Sequence, residues 1–234
     1  MKKILITGAA KNLGAFLAKR LAKNNYSVIV HYNKSKSEAK KVIKACELEG
    51  VEAEMLQGDF SNYESLNAFV SNLKGLTNEL YGFIHNVGNF EVGSFLKTSY
   101  IKWEELIQVN VNASFFLLKE IIPLLKDQMG HIICMGFAGI NTNRADTYCS
   151  AYSLTKQALL FMVKSIAKEI ASSNIKINMI SPGYLEKSVV FPKDPFPMQR
   201  PASFEDILHT VQFLLDQTYI TGQNIEVAGG IRLS

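Results

Sequence analysis

Along the 234 residues of the chain, short apolar runs typical of β-strands alternate with longer segments whose apolar residues recur at helical spacing. The strand-like runs are KILIT, SVIVHY, EAEMLQG, YGFIHN, GHIICM, KINMIS and QNIEVAG. Strands that alternate with helices in this way predict a parallel sheet with helices on both faces. Seven such strands and six crossover helices predict a single α/β domain over residues 1–234 with a doubly wound parallel sheet.

One segment, residues 183–201, interrupts this pattern. It contains four of the six prolines of the chain and shows weak periodicity. The segment is therefore predicted to be a long irregular loop, and loops of this length in a compact domain are often lids or substrate-binding loops.

The composition limits the kinds of partner. Lys and Arg number 25 against 21 for Asp and Glu, a surplus too small to indicate nucleic-acid binding. The N-terminal apolar run stops too early for a secretion signal, and no run is long enough to cross a membrane. The three cysteines have no metal-ligand spacing, so we expect a cytoplasmic protein without a metal, a membrane partner or a nucleic-acid partner.

Two glycines, Gly8 and Gly14, lie between the first strand and the following helix. Glycine permits a tight turn, and a helix N-terminus offers unpaired N–H groups to an anion. In a doubly wound sheet, ligands bind at the carboxyl ends of the strands, so this turn is predicted to bind a phosphate rather than merely to connect a strand and a helix.

The end of the second strand reads HYNKSKS, with no acid before Glu38. A dinucleotide site for NAD usually has an acidic residue here for the ribose hydroxyls, and a carboxylate would repel a 2′-phosphate. Lys34 with Asn33 and Ser35 would attract that phosphate, and Lys11 could reach it, so the sequence favours NADPH over NADH. Three further lysines are interleaved with apolar positions and are interpreted as the solvent face of a helix: Lys40, Lys41 and Lys44.

Tyr152 and Lys156 are four residues apart within a predicted helix and therefore share one face of it. A nearby cation favours the ionised form of a phenol, so Lys156 is expected to lower the pKa of Tyr152. Read alone, the pair is as consistent with a half-buried tyrosine beside a lysine whose ammonium group reaches solvent.

Several motifs occur in a fixed order: TGAAKNLG, GDF, HNVG, QVNVNA, AYSLTK, SPGY and YITGQNIEVAGG. The ordered set resembles the classical short-chain dehydrogenase/reductase family over essentially the whole chain. Within the family, TGAAKNLG and HYNKS look most like the corresponding segments of NADPH-dependent pteridine reductases and 3-oxoacyl-carrier-protein reductases. The resemblance implies a Rossmann-like fold, a nicotinamide cofactor and a small-molecule substrate.

The resemblance also implies roles for individual residues. Tyr152 would donate the proton, Lys156 would bind the nicotinamide ribose, and Asn110 would hold a helix and a water of the proton relay. Asp59 would bond the adenine amino group, with Phe60 against the ring. The remaining candidate cofactor-binding residues are Gly8, Lys11, Asn12, Leu13, Gly14, His31, Tyr32, Asn33, Lys34, Ser35, Asn86, Val87, Gly88, Pro182 and Gly183.

The sequence departs from the family pattern at two places. Asn12 stands where a third glycine is usual, and asparagine tolerates unusual backbone angles better than most residues. Gly136 and Phe137 stand where the family has a catalytic serine, and neither side chain can donate a hydrogen bond. Four residues are open candidates to replace that serine: Asn141, Asp146, Thr147 and Ser150.

These observations predict an NADPH-dependent oxidoreductase that reduces a small carbonyl or pteridine-like substrate, with Tyr152 as the proton donor. The missing serine leaves open a weakly active or inactive NADP-binding sensor or scaffold. A 3-oxoacyl-thioester reductase is a third possibility. By resemblance, the long helices and the C-terminal VAGGIRLS imply a homotetramer or homodimer.

Overall fold

The computed structural model describes residues 1–142, 145–188, 191 and 196–231, with the backbone alone at 126–128, and contains one seven-stranded sheet. The strands are β1 (Lys3–Ile6), β2 (Ser27–Tyr32), β3 (Ala53–Gln57), β4 (Gly82–His85), β5 (His131–Met135), β6 (Lys176–Pro182) and β7 (Asn224–Val227). Their order is β3-β2-β1-β4-β5-β6-β7, and every neighbouring pair is parallel. The seven predicted strands and the doubly wound fold are therefore confirmed.

The strand order reverses between β1 and β4, because the chain builds outward to β3 and then crosses back to the other side of β1. Such a reversal opens a crevice beyond the carboxyl ends of the two strands, since the loops that follow them turn in opposite directions. The glycine turn follows β1 and Asn86 follows β4, so both predicted cofactor motifs lie at this crevice.

Within the residues that the structure describes, seven α-helices cover the sheet. They are α1 (Asn12–Lys23), α2 (Lys36–Glu47), α3 (Tyr63–Leu76), α4 (Tyr100–Ile107), α5 (Ala113–Ile121), α6 (Ser150–Ile170) and α7 (Phe204–Asp216). None of the helices in the described part of the chain combines the length and the apolar character that a membrane span needs.

The core has two layers, one on each face of the sheet. Along β1, Ile4 and Ile6 pack with α1, α2 and α7, whereas Leu5 packs with α3, α5 and α6. Phe69 and Phe83 are almost fully buried in the second layer, and burial of each such side chain stabilises the fold by about 1.5–3 kcal/mol. Strands that are buried on both faces read as continuous apolar runs, which explains why the sequence predicts them well.

The segment 100–127 has apolar residues at helical spacing along its whole length, which predicts one long helix, but it is not one continuous α-helix in the structure. It is divided into α4, a π-helical turn (Gln108–Asn112), α5 and a 3₁₀ segment (Ile122–Gln128). Pro123 cannot donate the hydrogen bond of a regular α-helix, which accounts for the change after α5. The π turn inserts one residue without interrupting the apolar pattern, so periodicity alone does not show it.

Candidate active site

A cavity of about 390 Å³ lies beyond the carboxyl ends of the central strands. Leu13 of α1 and Asn86 after β4 contribute to its wall, and so do Met135 at the end of β5 and Pro182 at the end of β6. Tyr152 and Lys156 of α6 face the same space. The structure thus brings the predicted acid–base pair and part of the predicted cofactor site to one cavity.

The glycine turn after β1 is closely packed. A Cβ atom on Gly14 would collide with Gly8 O and would lie 2.9 Å from the Asn86 amide, so only glycine fits there. Asn12 has a φ of +47°, in the left-handed region that asparagine tolerates better than most residues. The departure from glycine at this position is therefore accommodated by the backbone.

The first turn of α1 fits a pyrophosphate. Its N-cap residue, Lys11, makes no side-chain cap hydrogen bond, and the first turn carries no acidic residue. The N–H groups and the positive end of the helix dipole are therefore free of a competing carboxylate. Lys11 is exposed beside this turn, whereas Leu13 is buried and lines the cavity.

His31, near the end of β2, holds the glycine turn in place through a hydrogen bond to Gly8. Gly8 N donates to His31 Nδ1 at 3.0 Å, so Nε2 carries the proton and donates to Gly58 O at 3.1 Å. Burial lowers the pKa of His31 to about 4, which keeps the ring neutral in this network. Tyr32 is also buried and packs in the core, so the structure places both residues behind the cofactor crevice rather than in it.

Phe60 is likewise buried. Its ring stacks on His31 with centroids 4.3 Å apart and an interplanar angle of 5°. The resemblance implies that Phe60 lies against the adenine, but here the ring holds His31 in place.

Exposed polar groups gather near the end of β2. Asn33 and Lys34 are exposed, and Ser35 is the N-cap residue of α2 with no side-chain cap bond. Burial opposes ionisation of Asp59, but hydrogen bonds from Ser61 and Asn33 and the charge of Lys34 lower its pKa overall. Asp59, Asn33 and Lys34 therefore lie together, as the adenosine end of a dinucleotide site requires.

The segment after β4 connects the two ends of the site. Asn86 donates from its side chain to Thr7 O at 3.1 Å, and Val87 N donates to Thr7 Oγ1 at 3.2 Å. Gly88 lies so close to Lys156 that an added Cβ atom would be 2.9 Å from Nζ.

Tyr152 is half-buried and Lys156 is buried in the cavity wall, one turn apart on α6. Lys156 Nζ donates to Met135 O at 2.8 Å and lies 5.9 Å from the centroid of the Tyr152 ring. Burial lowers the pKa of Lys156 to about 8, and the Cys134 thiol opposes that shift. Burial, with the neighbouring Cys149 thiol, raises the pKa of Tyr152. The pKa of Tyr152 is therefore raised and not lowered as expected from the neighbouring Lys156, and the phenol stays protonated at neutral pH.

Asn110 lies in the π turn between α4 and α5. Its side chain accepts from Asn89 N at 2.8 Å and donates to Asn89 O and to Thr155 Oγ1 of α6. Its carbonyl accepts from Ser114, whose hydroxyl is 2.7 Å from the neutral ring of His85. The π turn therefore anchors α6 and the segment after β4 to each other beside Lys156.

Gly136 and Phe137, at the position of the family serine, follow β5. Gly136 is enclosed: a Cβ atom there would lie 2.5 Å from Ser181 Oγ and 2.6 Å from Met179 Sδ. Phe137 lines the cavity, and its ring centroid is 5.5 Å from that of Tyr152. Phe90, after β4, meets the same tyrosine ring edge-on at 4.9 Å.

None of the four candidate replacements for the serine lines the cavity. Asn141 and Thr147 are exposed, and Ser150 donates its hydroxyl to Asp146 O. Asp146 accepts from the N–H groups of Tyr148 and Cys149 and from the Ser153 hydroxyl, so it secures the start of α6.

The cavity also involves residues that sequence reasoning did not single out. Four of them belong to no motif of the sequence analysis, and they are Phe90, Tyr148, Leu185 and Ser188. Tyr184 ends the SPGY motif and Ile231 lies in the C-terminal VAGGIRLS, but neither was assigned a role from the sequence. Pro182 and Gly183 line the cavity where the sequence predicts a nicotinamide contact.

The predicted loop 183–201 closes on itself at its base. Ala202 N donates to Tyr184 O and Glu186 N donates to Ala202 O, both at 2.9 Å. The rings of Tyr184, Phe191 and Phe196 lie 6.1–6.4 Å from one another. Residues 189, 190 and 192–195 of this loop, and 232–234 of the C-terminal motif, lie outside the described residues.

Comparisons with known proteins agree with this geometry. The family model described as enoyl-(acyl carrier protein) reductase matches residues 8–232. The chain is 27% identical over 246 residues to the 3-oxoacyl-(acyl-carrier-protein) reductase FabG of Staphylococcus aureus, with 98% of each chain covered. It is 28% identical over 243 residues to the uncharacterized oxidoreductase YmfI of Bacillus subtilis, again with 98% of each covered.

Solved structures include a similar fold in the acetoin dehydrogenase YohF of Salmonella typhimurium. The two chains are 25% identical with a TM-score of 0.89, over 100% of this chain and 97% of the other.

Proposed function

Because the chain belongs to the short-chain dehydrogenase/reductase family, whose members are NAD(P)H-dependent oxidoreductases, we propose that it reduces the carbonyl group of a small substrate with NADPH. The observation that carries the proposal is the cavity in which Tyr152 and Lys156 lie together with Asn86, Gly88 and Pro182. In this proposal Tyr152 is the proton donor and Lys156 holds the nicotinamide ribose.

The end of β2 supports NADPH over NADH. Lys34 is exposed there, and Ser35 leaves the N-terminus of α2 without a side-chain cap. A 2′-phosphate would find a cation and uncapped N–H groups at this point. Lys11 is exposed at the adjacent turn and would add a second positive charge.

The reaction needs a hydride, a proton donor and a positive charge near the developing negative charge. A bound reduced nicotinamide supplies the hydride. The phenol of Tyr152 is protonated at neutral pH, as a proton donor must be, although its raised pKa makes it a weaker acid than a free phenol. Lys156, with its pKa near 8, is mostly charged at neutral pH and stabilises negative charge that develops on the phenol and on the substrate oxygen.

With Phe137 in place of the serine, we expect this site to catalyse the reaction more slowly than a site that has the serine. Its ring cannot donate a hydrogen bond to the developing alkoxide. The loss of one such donor costs on the order of a hundredfold or more in rate. Catalysis then depends on Tyr152 to a greater degree than in relatives with the serine.

The test is the Tyr152→Phe variant, assayed for NADPH oxidation with a panel of small carbonyl compounds. We expect kcat/KM to fall by about a hundred- to ten-thousandfold, because the variant lacks the proton donor. The dissociation constant of NADPH, measured by fluorescence titration, should change less than twofold. Tyr100→Phe, on the exposed face of α4, is the matched control and should behave as wild type.

Two outcomes favour other functions. Tight NADPH binding without turnover of any carbonyl or pterin would favour an NADP-binding sensor or scaffold, the alternative that Phe137 motivates. Turnover confined to an acetoacetyl thioester would favour a 3-oxoacyl-thioester reductase, the activity that the name of the Staphylococcus aureus relative gives. Full activity of Tyr152→Phe on a carbonyl would remove the tyrosine from the mechanism.

We also propose a homodimer or homotetramer and a reducing compartment such as the cytoplasm. Phe161 and Leu154 on α6 and Phe115 on α5 are exposed large apolar side chains, which are typical of subunit contacts. The thiols of Cys46 and Cys134 are buried and outside any disulfide, which a reducing compartment preserves.

A further inference from the structure

Aromatic rings surround the proposed proton donor. Phe137 is tilted against the Tyr152 ring at 5.5 Å, and Phe90 meets it edge-on at 4.9 Å. Tyr148 and Tyr184 contribute two further rings to the wall of the same cavity. Four rings on different segments thus border the space in which a substrate carbonyl must lie to reach Tyr152.

These rings are incompletely covered by the protein. Phe90 keeps 51% of its surface exposed and Tyr148 keeps 47%, although both line the cavity. Exposed aromatic surface that lines a concave site is stabilised when an apolar ligand covers it, because the apolar area leaves water. A flat aromatic ligand gains more binding free energy than an alkyl group of the same size, because it can make edge-on and offset contacts with several rings.

The polar side chains of the cavity wall do not favour a charged ligand. Lys156 is the one ionisable cation among the described residues of the wall, and its ammonium group already donates to Met135 O. The wall contains no carboxylate among the described residues. The side-chain amide of Asn86 already donates hydrogen bonds to Thr7 O and Gly8 O. The other side-chain hydrogen-bonding groups of the described wall, apart from Tyr152, are the hydroxyls of Tyr148, Tyr184 and Ser188 and the Cys149 thiol. A pterin has more edge donors and acceptors than these groups can pair, at a cost in affinity for each one left unpaired.

We infer that the substrate is an uncharged aryl ketone or aldehyde whose ring packs among Phe90, Phe137, Tyr148 and Tyr184. This inference rests on the proposed function and specifies its substrate class. The carbonyl carbon receives the hydride with its electron pair, the C=O π pair moves to the oxygen, and that oxygen takes the Tyr152 proton. The ketone is reduced to an alcohol, the nicotinamide is oxidised, and solvent returns the proton to the phenolate.

The test compares two ketones that differ in their ring alone, acetophenone and cyclohexyl methyl ketone, with saturating NADPH. The readout is the ratio of their kcat/KM values in wild type and in variants, because the intrinsic reactivities of the two ketones cancel in that comparison. For Phe137→Leu we expect the aryl-to-cyclohexyl ratio to fall about two- to tenfold, the value of one lost ring–ring contact. Phe90→Leu, on a separate segment, should lower the ratio by a similar factor and tests the inference if Phe137→Leu does not fold.

Phe213→Leu on α7 is the matched control, since Phe213 is half-exposed and does not line the cavity. It should leave the ratio unchanged. An unchanged ratio in both Phe137→Leu and Phe90→Leu would overturn the inference, and so would turnover of a pterin or acetoacetyl thioester without turnover of either ketone. In that second case the inference about the substrate is wrong, but the proposed function as a reductase of a C=O or C=N group is supported. Failure of every compound would overturn the proposed function together with the inference.

Discussion

At the scale of single residues, Lys34 decides the proposed cofactor preference. It is exposed at the end of β2, and its charge helps to lower the pKa of Asp59 beside it. The sequence identifies this residue because the absence of an acid before Glu38 is visible without a structure. The sequence does not show that His31 and Phe60 stack beside the glycine turn, because that contact joins β2 to the segment after β3 and depends on how the two strands pair.

Lys34→Glu should weaken NADPH binding and spare NADH binding. The variant would place a carboxylate beside the 2′-phosphate, and the loss of a hydrogen bond to a charged group is worth about 10- to 100-fold in the dissociation constant. NADH lacks that phosphate, so its dissociation constant should change less than threefold. Lys40→Glu, exposed on α2, is the matched control. Equal weakening of both cofactors in fluorescence titrations would contradict the assignment.

At the scale of elements, α6 matters most, because it carries both proposed catalytic side chains. The helix begins without a side-chain cap from its own N-cap residue, Cys149. Asp146 supplies the acceptor instead, and the π turn fixes the helix further along through Asn110 and Thr155. The sequence predicts α6 from its apolar spacing, but it leaves Asp146 among four candidates for the missing serine. The role of Asp146 depends on how the loop before α6 turns back, which no periodicity describes.

Asp146→Ala should loosen the start of α6. Asp146 accepts from the N–H groups of Tyr148 and Cys149 just before α6. Removal of such an acceptor costs about 1–3 kcal/mol of unfolding free energy, measured by urea denaturation. The shift in Tyr152 should also lower kcat, with little change in NADPH affinity. Asp146→Asn keeps one acceptor oxygen and should lose less stability. Asp216→Ala, at the exposed end of α7, controls for loss of a surface charge. Equal destabilisation by both alanine variants would refute the role of Asp146 in holding the start of α6.

At the scale of the whole molecule, the sheet and its two apolar layers follow from the sequence, because buried parallel strands leave continuous apolar runs. The surface is less predictable. Leu154 and Phe161 lie seven residues apart on the same outward face of α6, and Phe161 keeps 73% of its surface exposed. A helical pattern with large apolar residues on its solvent side does not state what covers them, and subunit association is the explanation that we propose.

Phe161→Glu should therefore shift the assembly toward monomers. A buried, unpaired carboxylate at a subunit contact is strongly unfavourable, so the mass from light scattering at micromolar concentration should fall from a multiple of the chain mass. Leu48→Glu, at an exposed site after α2, is the matched control and should keep the wild-type mass. A wild-type protein that is already monomeric at this concentration would exclude the proposed oligomer.

Gly136 also limits where a hydroxyl can stand in this site. Ser181 and Met179 crowd the space that any Cβ atom at Gly136 would need, and the strand edge there is held by the hydrogen bond from Gly136 N to Ile180 O. A hydroxyl can therefore be introduced here at Phe137 but not at Gly136. Phe137→Ser would remove a ring from the cavity wall, whereas Phe137→Tyr would keep a ring and add a hydroxyl in a different place. A serine and an aromatic ring cannot both stand at position 137, so one residue decides between a serine donor and the aromatic wall.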